Sequence, residues 1–257
     1  MKLSKRLSAV AAMVTPGMTL ADIGTDHAYI PIDLVERGVI PRAIAADVHP
    51  GPLLRAQEHI RERGLADRIC TRLSDGLLAF APDEAQSIVI AGMGGALTVR
   101  ILQNGAELFE REKASCLQTQ KGVQELILQP QSEIAHVRAW LWRNGWEAVR
   151  EDMVFEDGKY YPMMKAKRCM HSSRIFAVPE PFAGSNPLSL EFGSKLLEAR
   201  HPVLREYLQK EKVKQEQILT ALAGQTGQKA LSRAQEIRQK LALVDAALSL
   251  YDTGAFS

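Results

Sequence analysis

Three acidic residues stand at or beside the carboxyl ends of three consecutive apolar runs. Asp22 lies near the end of the first run, Asp47 closes the second, and Asp75 follows the third. If these runs are parallel strands, their carboxyl ends meet at the edge of the sheet where α/β proteins bind nucleotide-like ligands. Taken singly, each acid is more simply a strand-end cap, but three in succession fit chance poorly. The pattern predicts a binding site for a cationic, hydroxyl-bearing ligand.

The loop after the first run lacks the full dinucleotide-binding fingerprint. Gly24 permits a tight turn, but Asp26 and Ala28 occupy the second and third glycine positions. A carboxylate at the start of a helix repels a pyrophosphate. S-adenosylmethionine carries an ammonium and a sulfonium and no phosphate, so it fits Asp22 and Asp26. By itself the loop is explained equally well as a turn in which an aspartate caps the next helix.

The other two acids match the remaining parts of the same cofactor. Asp47 comes 23 residues after Gly24, where a carboxylate accepts hydrogen bonds from ribose hydroxyls. Asp75 is placed to accept from the adenine amino group, with Gly76 beside it and Leu77 as an apolar face. A class I methyl-transfer fold is the single account that uses all of these residues.

A glycine cluster, Gly92-Met93-Gly94-Gly95, follows the fourth apolar run. Three glycines in four residues indicate a close approach to the backbone. We therefore expect Gly92 and Met93 at the cofactor, and Gly94 and Gly95 at the methyl acceptor. Methyltransferases that act on amines place an acidic residue or Asn followed by Pro-Pro-aromatic here, and this sequence does not. The acceptor is thus not predicted to be an exocyclic amine. The alternative is a cluster of packing glycines.

Two further groups are predicted to border this edge. Gln129 and Pro130 end the fifth apolar run, where the amide can bond a base edge and the proline ring can pack on its face. Lys5 and Arg6 lie on one face of a short amphipathic N-terminal helix and are placed to contact phosphates. A solvated helix face explains these two cations equally well.

The elements that must position these residues alternate between strands and helices. Strands are predicted at Thr19–Ile23, Ala43–Val48, Ile69–Leu73, Ser87–Ala91 and Glu125–Leu128, and helices at Tyr29–Arg37, Pro52–Arg63, Ala96–Asn104 and Glu133–Asn144. Such alternation indicates βαβ units and a parallel sheet. Two more strands, Trp146–Phe155 and Tyr160–Lys167, flank Asp157-Gly158, a hairpin-turn sequence. The fold class is therefore α/β, doubly wound and mostly parallel, with a final antiparallel hairpin.

The chain changes character after Arg168. Residues 169–189 contain three prolines and no sustained periodicity, which indicates a linker or an irregular crossing segment. From Leu190 to Leu250 two apolar stripes at helical spacing predict an antiparallel, coiled-coil-like helical hairpin. The first stripe is Leu196, Val203, Leu204, Leu208, Ile218 and Leu222; the second is Ile237, Leu241, Val244 and Leu248. We predict a cofactor-binding domain over 1–168, and a linker with a helical domain over 169–257.

The charge is divided unevenly between the two parts. Residues 165–257 hold 14 basic and 9 acidic side chains, a net +5, and the remainder holds 18 and 21, a net −3. The excess in the helices is either an ordinary solvated face or a surface for a polyanion. The candidate phosphate contacts there are Lys195, Arg205, Lys210, Lys212, Lys214, Arg233 and Arg238.

Several sequence blocks resemble the bacterial tRNA (adenine-22) N1-methyltransferases. They are Leu3-Ser4-Lys5-Arg6-Leu7, Ala21-Asp22-Ile23-Gly24-Thr25-Asp26-His27-Ala28-Tyr29, Asp75-Gly76-Leu77, Ile90-Ala91-Gly92-Met93-Gly94-Gly95, Leu126-Ile127-Leu128-Gln129-Pro130, Glu156-Asp157-Gly158-Lys159-Tyr160-Tyr161 and Phe192-Gly193-Ser194-Lys195-Leu196. The resemblance spans nearly the whole chain, and the second and fourth blocks are specific. The stretch Phe109–Gln124 is longer than is usual in the family.

The resemblance implies methyl transfer from S-adenosylmethionine to N1 of an adenosine in the D-arm region of tRNA. N1 is a neutral nitrogen with an in-plane lone pair, so no strong base is needed before attack. Asp26 would then stabilise the developing positive charge, Tyr29 would stack on the extruded base, and His27 would bind phosphate or the base edge. For His27 a turn histidine, and for Tyr29 a core aromatic, are the alternatives.

Other functional classes compete with this one. They are a methyltransferase for another RNA adenine, a nicotinamide-dependent oxidoreductase, and an RNA-binding protein without activity. Asp26 and Ala28 disfavour the oxidoreductase. Three scattered cysteines, no Cys/His cluster and no 18-residue apolar stretch predict no metal, no membrane span and a cytoplasmic protein. A monomer is expected.

Overall fold

The structure is a computed structural model that describes residues 3–109, 122–169, 186–224 and 227–252. The chain forms two compact units, Met1–Val178 and Pro179–Ser257. Most of the predicted linker and most of the long stretch Phe109–Gln124 lie outside the described residues. The division predicted at residue 168 therefore stays a prediction.

The first unit is built on a seven-stranded sheet with strand order β3-β2-β1-β4-β5-β7-β6. The strands are β1 Leu20–Ile23, β2 Ala43–Asp47, β3 Ile69–Leu73, β4 Ser87–Ala91, β5 Glu125–Gln129, β6 Trp146–Glu156 and β7 Lys159–Arg168. The first five are mutually parallel and the last two run antiparallel. The strand order steps outward from β1 in both directions, so the carboxyl ends of β1 and β4 flank the switch point at which such sheets bind ligands.

Helices cover both faces of this sheet. They are α1 Lys5–Ala11, α2 Tyr29–Glu36, α3 Pro50–Glu62, α4 Gly95–Asn104 and α5 Ile134–Arg143. Strand side chains alternate between two buried clusters: Ile88 and Ile90 pack with α4 and α5, while Val89 between them packs with α1, α2 and α3. This alternation follows from the two-residue period of a strand. The doubly wound α/β fold is confirmed.

The β6–β7 hairpin turns at Asp157 and Gly158, both of which adopt positive φ, at 49° and 77°. That conformation suits an Asp-Gly turn, so the predicted hairpin is confirmed. Pairing of β5 with β7 ends at Leu128↔Met164. The five β7 residues 159–163 and the turn continue beyond it, about 15 Å at the usual rise per residue. The hairpin therefore extends past the carboxyl edge of the parallel strands.

The opposite edge of the sheet holds a buried ion pair that the sequence did not reveal. Glu125, the first residue of β5, is fully buried, and its carboxylate lies 2.8 Å from Lys165 Nζ on β7. The backbone N–H and hydroxyl of Thr15 and the hydroxyl of Ser87 also donate to this carboxylate. The pair therefore ties β4, β5, β7 and the segment after α1 together.

The second unit is helical, with α6 Pro187–Phe192, α7 Ser194–Glu198, α8 Pro202–Leu222 and α9 Gln228–Asp252. The α8–α9 hairpin is confirmed. The first predicted stripe was wrong as a single helix, because the helix breaks around the left-handed Arg200 (φ 46°), which leaves Leu196 on α7 and the other members on α8. The predicted linker also ends earlier than residue 189, because Pro187 begins α6. Two polar residues of α8, Glu211 and Gln215, are buried between the leucines.

Candidate active site

The loop after β1 is held tightly against the next strand. Gly24 N and Thr25 N both donate to the carbonyl of Ala46, at 2.8 and 2.9 Å. Gly24 has a φ of +72°, and a Cβ placed there would lie 2.0 Å from Met93 Cε. The left-handed φ favours glycine at this position, and the flexible end of the Met93 side chain packs over it. The structure therefore brings together the two loops that the sequence assigned to the cofactor.

Asp22 is a buried carboxylate beneath this loop. Its Oδ2 accepts a 2.6 Å hydrogen bond from the Thr25 hydroxyl. Burial raises the pKa of Asp22 to about 6, and the negative charges of Asp26 and Asp47 act in the same direction against the Thr25 hydrogen bond. Such a group gains most from a cationic ligand, because a positive charge offsets the cost of its ionisation.

Three near-parallel rings cluster beside this loop: His27 and Tyr29 from the residues that follow it, and His59 from α3. His27 and Ala28 are both left-handed, with φ of 56° and 55°. The His27 ring lies 5.1 Å from the rings of Tyr29 and His59, at interplanar angles of 8° and 27°. Asp26 is exposed, with its Oδ1 3.5 Å from His27 Nε2. The structure thus groups Asp26, His27 and Tyr29, which the sequence proposed as catalytic.

His59 on α3 is a member of this group that the sequence did not identify. Besides stacking on both rings, its Nδ1 lies 3.3 Å from the carbonyl oxygen of His27. A contact with a backbone atom 32 residues away leaves no local pattern in the sequence. His59 thus supports the left-handed turn through its contacts with the backbone and the ring of His27.

Asp47 and Asp75 lie where the sequence placed them, at the ends of β2 and β3. The carboxylate of Asp47 is half-buried and accepts a 2.7 Å hydrogen bond from His49 N. Leu77 requires a correction: it is only 2% exposed and packs in the core against Gly105, so it has almost no surface to offer an adenine ring. The next residue, Leu78, is 61% exposed.

The glycines of the Gly92–Gly95 cluster have two different environments. Gly92 is exposed, and a Cβ there would lie 3.6 Å from Arg6 Nη1. A Cβ on Gly95 would lie 2.6 Å from the Ser132 carbonyl oxygen, so this glycine allows α4 to pack on the loop before α5. The prediction that Gly95 binds the acceptor is therefore wrong, while Gly94 is partly exposed and borders the edge.

Gln129 and Pro130 also differ from expectation, because both are buried. Gln129 is 0% exposed; its Oε1 accepts a 2.9 Å hydrogen bond from Arg6 Nη1, and its Nε2 donates to the Pro130 carbonyl. Neither side chain has free surface for a base. The function of Gln129 in the structure is to hold the Arg6 guanidinium beside Gly92.

Lys5 and Arg6 begin α1, whose N-terminus is anchored to the β6–β7 hairpin. The Glu156 carboxylate accepts from Lys5 N at 2.6 Å and from Arg6 N at 3.2 Å. Partial desolvation favours the neutral acid, but these hydrogen bonds and that of the Ser4 hydroxyl outweigh it, so the pKa of Glu156 is lowered. Arg6 is therefore fixed at both its backbone and its guanidinium.

Comparison with known proteins agrees with this geometry. Residues 3–164 match the family profile described as a methyltransferase domain. A tRNA (adenine(22)-N(1))-methyltransferase of Bacillus subtilis is 39% identical over 167 residues, which span 65% of this chain and 66% of that protein. A Streptococcus pneumoniae structure assigned as a tRNA (m1A22) methyltransferase is 35% identical, covers 96% of this chain and 100% of that one, and superposes with a TM-score of 0.80.

The chain belongs to the bacterial tRNA (adenine-22) N1-methyltransferase family. The Streptococcus pneumoniae protein has also been solved in complex with S-adenosyl-L-methionine; that structure is 33% identical, has a TM-score of 0.78, and covers 96% of this chain and 100% of the other. The likeness thus includes the C-terminal helices as well as the sheet, and the recognition based on sequence blocks is confirmed.

The part of the chain that the structure describes contains neither a candidate metal site nor a helix able to span a membrane. No three His, Cys, Asp or Glu side chains there are grouped as they would be around a metal ion. Nor does any described helix combine the length and apolarity needed to cross a membrane.

Proposed function

We infer that the protein transfers a methyl group from S-adenosylmethionine to N1 of adenosine 22 of tRNA. The observation that carries this inference is the carboxyl edge of the sheet, in a member of the tRNA (adenine-22) N1-methyltransferase family. It presents the acids Asp22, Asp47 and Asp75 at the ends of three strands, together with a glycine loop that lacks a phosphate cradle.

The chain's own residues fit the cofactor at each of its parts. Buried Asp22 suits the ammonium group, and half-buried Asp47 suits the ribose hydroxyls. For the adenine ring we propose Val48 and Leu78, which follow two of these acids and are 50% and 61% exposed, in place of Leu77. Exposed aliphatic side chains beside a carboxylate offer an apolar face and an acceptor for the adenine amino group.

Met93 is proposed to yield to the cofactor. Its side chain packs over Gly24, where the cofactor must approach the backbone. Methionine has three rotatable bonds and adapts to new neighbours at low cost. Gly24, Gly92 and the displaced Met93 side chain then line the cleft. Gly76, which the sequence also assigned to the cofactor, is buried instead, and a Cβ there would lie 2.9 Å from Ile101 Cγ1 on α4.

When bound, S-adenosylmethionine supplies an electrophilic methyl group that the neutral N1 lone pair of adenine can attack without prior deprotonation. The protein then contributes mainly position, which is worth up to about 7–11 kcal/mol when the geometry is right. We propose that Asp26 stabilises the cationic product base. Tyr29, stacked on His27 and braced by His59, would form the platform for the extruded adenine.

Asp47→Ala is expected to weaken S-adenosylmethionine binding about 10- to 150-fold while leaving the fold intact. The loss of hydrogen bonds to a charged acceptor costs about 1.5–3 kcal/mol. Calorimetric titration measures it, with exposed Asp67→Ala as the control for a lost surface charge. Unchanged affinity would remove Asp47 from the site.

The product is expected to be 1-methyladenosine and not N6-methyladenosine. Gly92 and Gly94 stand where an amine-binding side chain would be needed. Nucleosides from tRNA incubated with enzyme and cofactor should be separated at neutral pH, because alkali rearranges one product into the other. Predominant N6-methyladenosine would overturn the acceptor assignment, and methylation of an adenine other than 22 would favour the broader alternative.

Binding and activity assays on the purified protein distinguish the two other functional classes, the oxidoreductase and the RNA-binding protein without activity. Binding of NAD instead of S-adenosylmethionine would support the oxidoreductase, and tRNA binding without methyl transfer would support a binding protein. We also propose that the protein acts as a monomer in the cytoplasm, where its tRNA substrate is found. Sedimentation of the purified chain tests the first statement.

A further inference from the structure

One border of the active-site edge is formed by the extension of the β6–β7 hairpin. The tip residues and the first turn of α1 form one unit, because Glu156 binds the backbone N–H groups of both Lys5 and Arg6. Arg6 reaches from this unit toward the site: its guanidinium lies 5.6 Å from the centre of the Tyr161 ring, donates to Gln129 and borders Gly92. The extension is thus continuous with the edge at which methyl transfer is proposed.

Cations on this extension differ from those on the C-terminal helices. Among the described residues, Lys5 and Lys159 form no ion pair. The Glu156 carboxylate beside them instead accepts hydrogen bonds from the backbone N–H groups that begin α1. Exposed Asp157 is the one other acid at the tip. By contrast, six of the seven candidate helix cations each lie 2.7–3.8 Å from a carboxylate: Lys195, Arg205, Lys210, Lys212, Lys214 and Arg233. The exception is Arg238, which forms no ion pair with a described residue.

The extension also carries aromatic surface. Phe155 and Tyr160 form a cross-strand pair with ring centroids 4.6 Å apart, and Phe155 remains 36% exposed. Exposed rings next to unpaired cations are the combination that binds bases and phosphates together, since stacking on a ring is worth about 1–3 kcal/mol per base.

We propose that the hairpin surface, defined as Lys5, Phe155, Lys159 and Tyr160, binds the nucleotides of tRNA that adjoin the target adenosine. This inference rests on the proposed function. A base extruded into the site brings its own phosphate and its neighbours to the border of the cleft. A border with unpaired cations and an exposed ring meets that requirement, whereas the paired helix cations must first exchange a carboxylate for a phosphate.

The sharpest test compares two lysines on one strand. Lys159 and Lys167 are both exposed, both on β7, and each faces a glutamate across the β6–β7 pair, but they lie at opposite ends of the strand. Lys159→Ala should weaken tRNA binding and reduce the slope of log Kd against log salt by roughly 0.7–0.9. Lys167→Ala should change neither.

Phe155→Ala and Phe155→Tyr test the stacking contribution. Alanine should raise the KM for tRNA about 5- to 150-fold, in line with the loss of one stacked base, with the affinity for S-adenosylmethionine unchanged. Tyrosine keeps a ring and should restore the KM.

The outcomes separate this inference from the function on which it rests. If the wild-type protein fails to methylate tRNA, the proposed function fails and the hairpin surface fails with it. If tRNA is methylated but Lys159→Ala binds it with the affinity and salt slope of Lys167→Ala, the hairpin surface alone is overturned.

Discussion

Asp22→Asn is expected to abolish the pH dependence of S-adenosylmethionine binding and to weaken binding at neutral pH at least tenfold. In the free protein burial raises the pKa of Asp22 to about 6. The cofactor's ammonium group prefers the ionised carboxylate, so wild-type affinity should fall about tenfold per pH unit below 6. The asparagine variant cannot ionise and should bind weakly at every pH. Calorimetric titration between pH 5 and 8 measures both curves.

The same residue is expected to affect stability with a definite sign. Because the folded state holds the Asp22 proton up to about pH 6 and the unfolded state releases it near 3.8, raising the pH favours unfolding. Relative to Asp22→Asn, the wild type should therefore lose about 2–3 kcal/mol of unfolding free energy between pH 4 and 7. Exposed Asp67→Asn serves as the control, because Asp67 does not contribute to the raised pKa of Asp22. If the free energy of unfolding depends on pH in the same way for wild type and Asp22→Asn, the pKa of Asp22 is not raised in the folded protein.

Lys165→Met is expected to lower the free energy of unfolding by about 3–5 kcal/mol, because it leaves the fully buried Glu125 carboxylate without its cation. Lys165 Nζ also donates to the Met13 carbonyl and the Thr15 hydroxyl. Urea denaturation of the whole chain measures the loss. Lys167→Met, on the same face of β7 but exposed near the end of the strand, should change it by less than about 0.5 kcal/mol.

Two further results would confirm the cause. Burial alone would raise the pKa of Glu125, but the hydrogen bonds from Lys165 and Thr15 outweigh it and lower the pKa. Glu125 therefore contributes stability above its ordinary pKa and loses it as the pH falls. The Lys165→Met defect should be largest at neutral pH and shrink toward pH 4, and Glu125→Gln added to it should restore part of the loss. A defect that is independent of pH would point to lost packing instead.

Much of the fold was predictable from the sequence because it depends on local patterns. Short apolar runs, helical spacing and Asp157-Gly158 each act over a few residues, and they located all seven strands to within one or two residues. The first predicted helix stripe failed because periodicity alone does not reveal a break between two helices. Leu196 keeps the helical spacing of Leu204 and Leu208, yet a turn at Arg200 separates them.

The candidate site shows the same division at the level of side chains. Asp22, Asp47 and Asp75 lie at the predicted edge because the end of a strand fixes where its last residues stand. Which of the two leucines after Asp75 is exposed was not predictable, because it depends on residues distant in the chain. Leu77 packs against Gly105 in the core, and Leu78 is exposed.

The sequence by itself determined the doubly wound sheet, the edge that carries the site, and the family through its specific blocks. Only the tertiary structure decided that Gln129 holds Arg6 and that His59 braces His27 and Tyr29. It also decided that six of the seven candidate helix cations are paired while Lys5 and Lys159 are not. The physical reason is the range of the interactions. Strand and helix periods are encoded within a few residues, whereas hydrogen bonds, stacking and ion pairing join side chains that only the folded chain brings together.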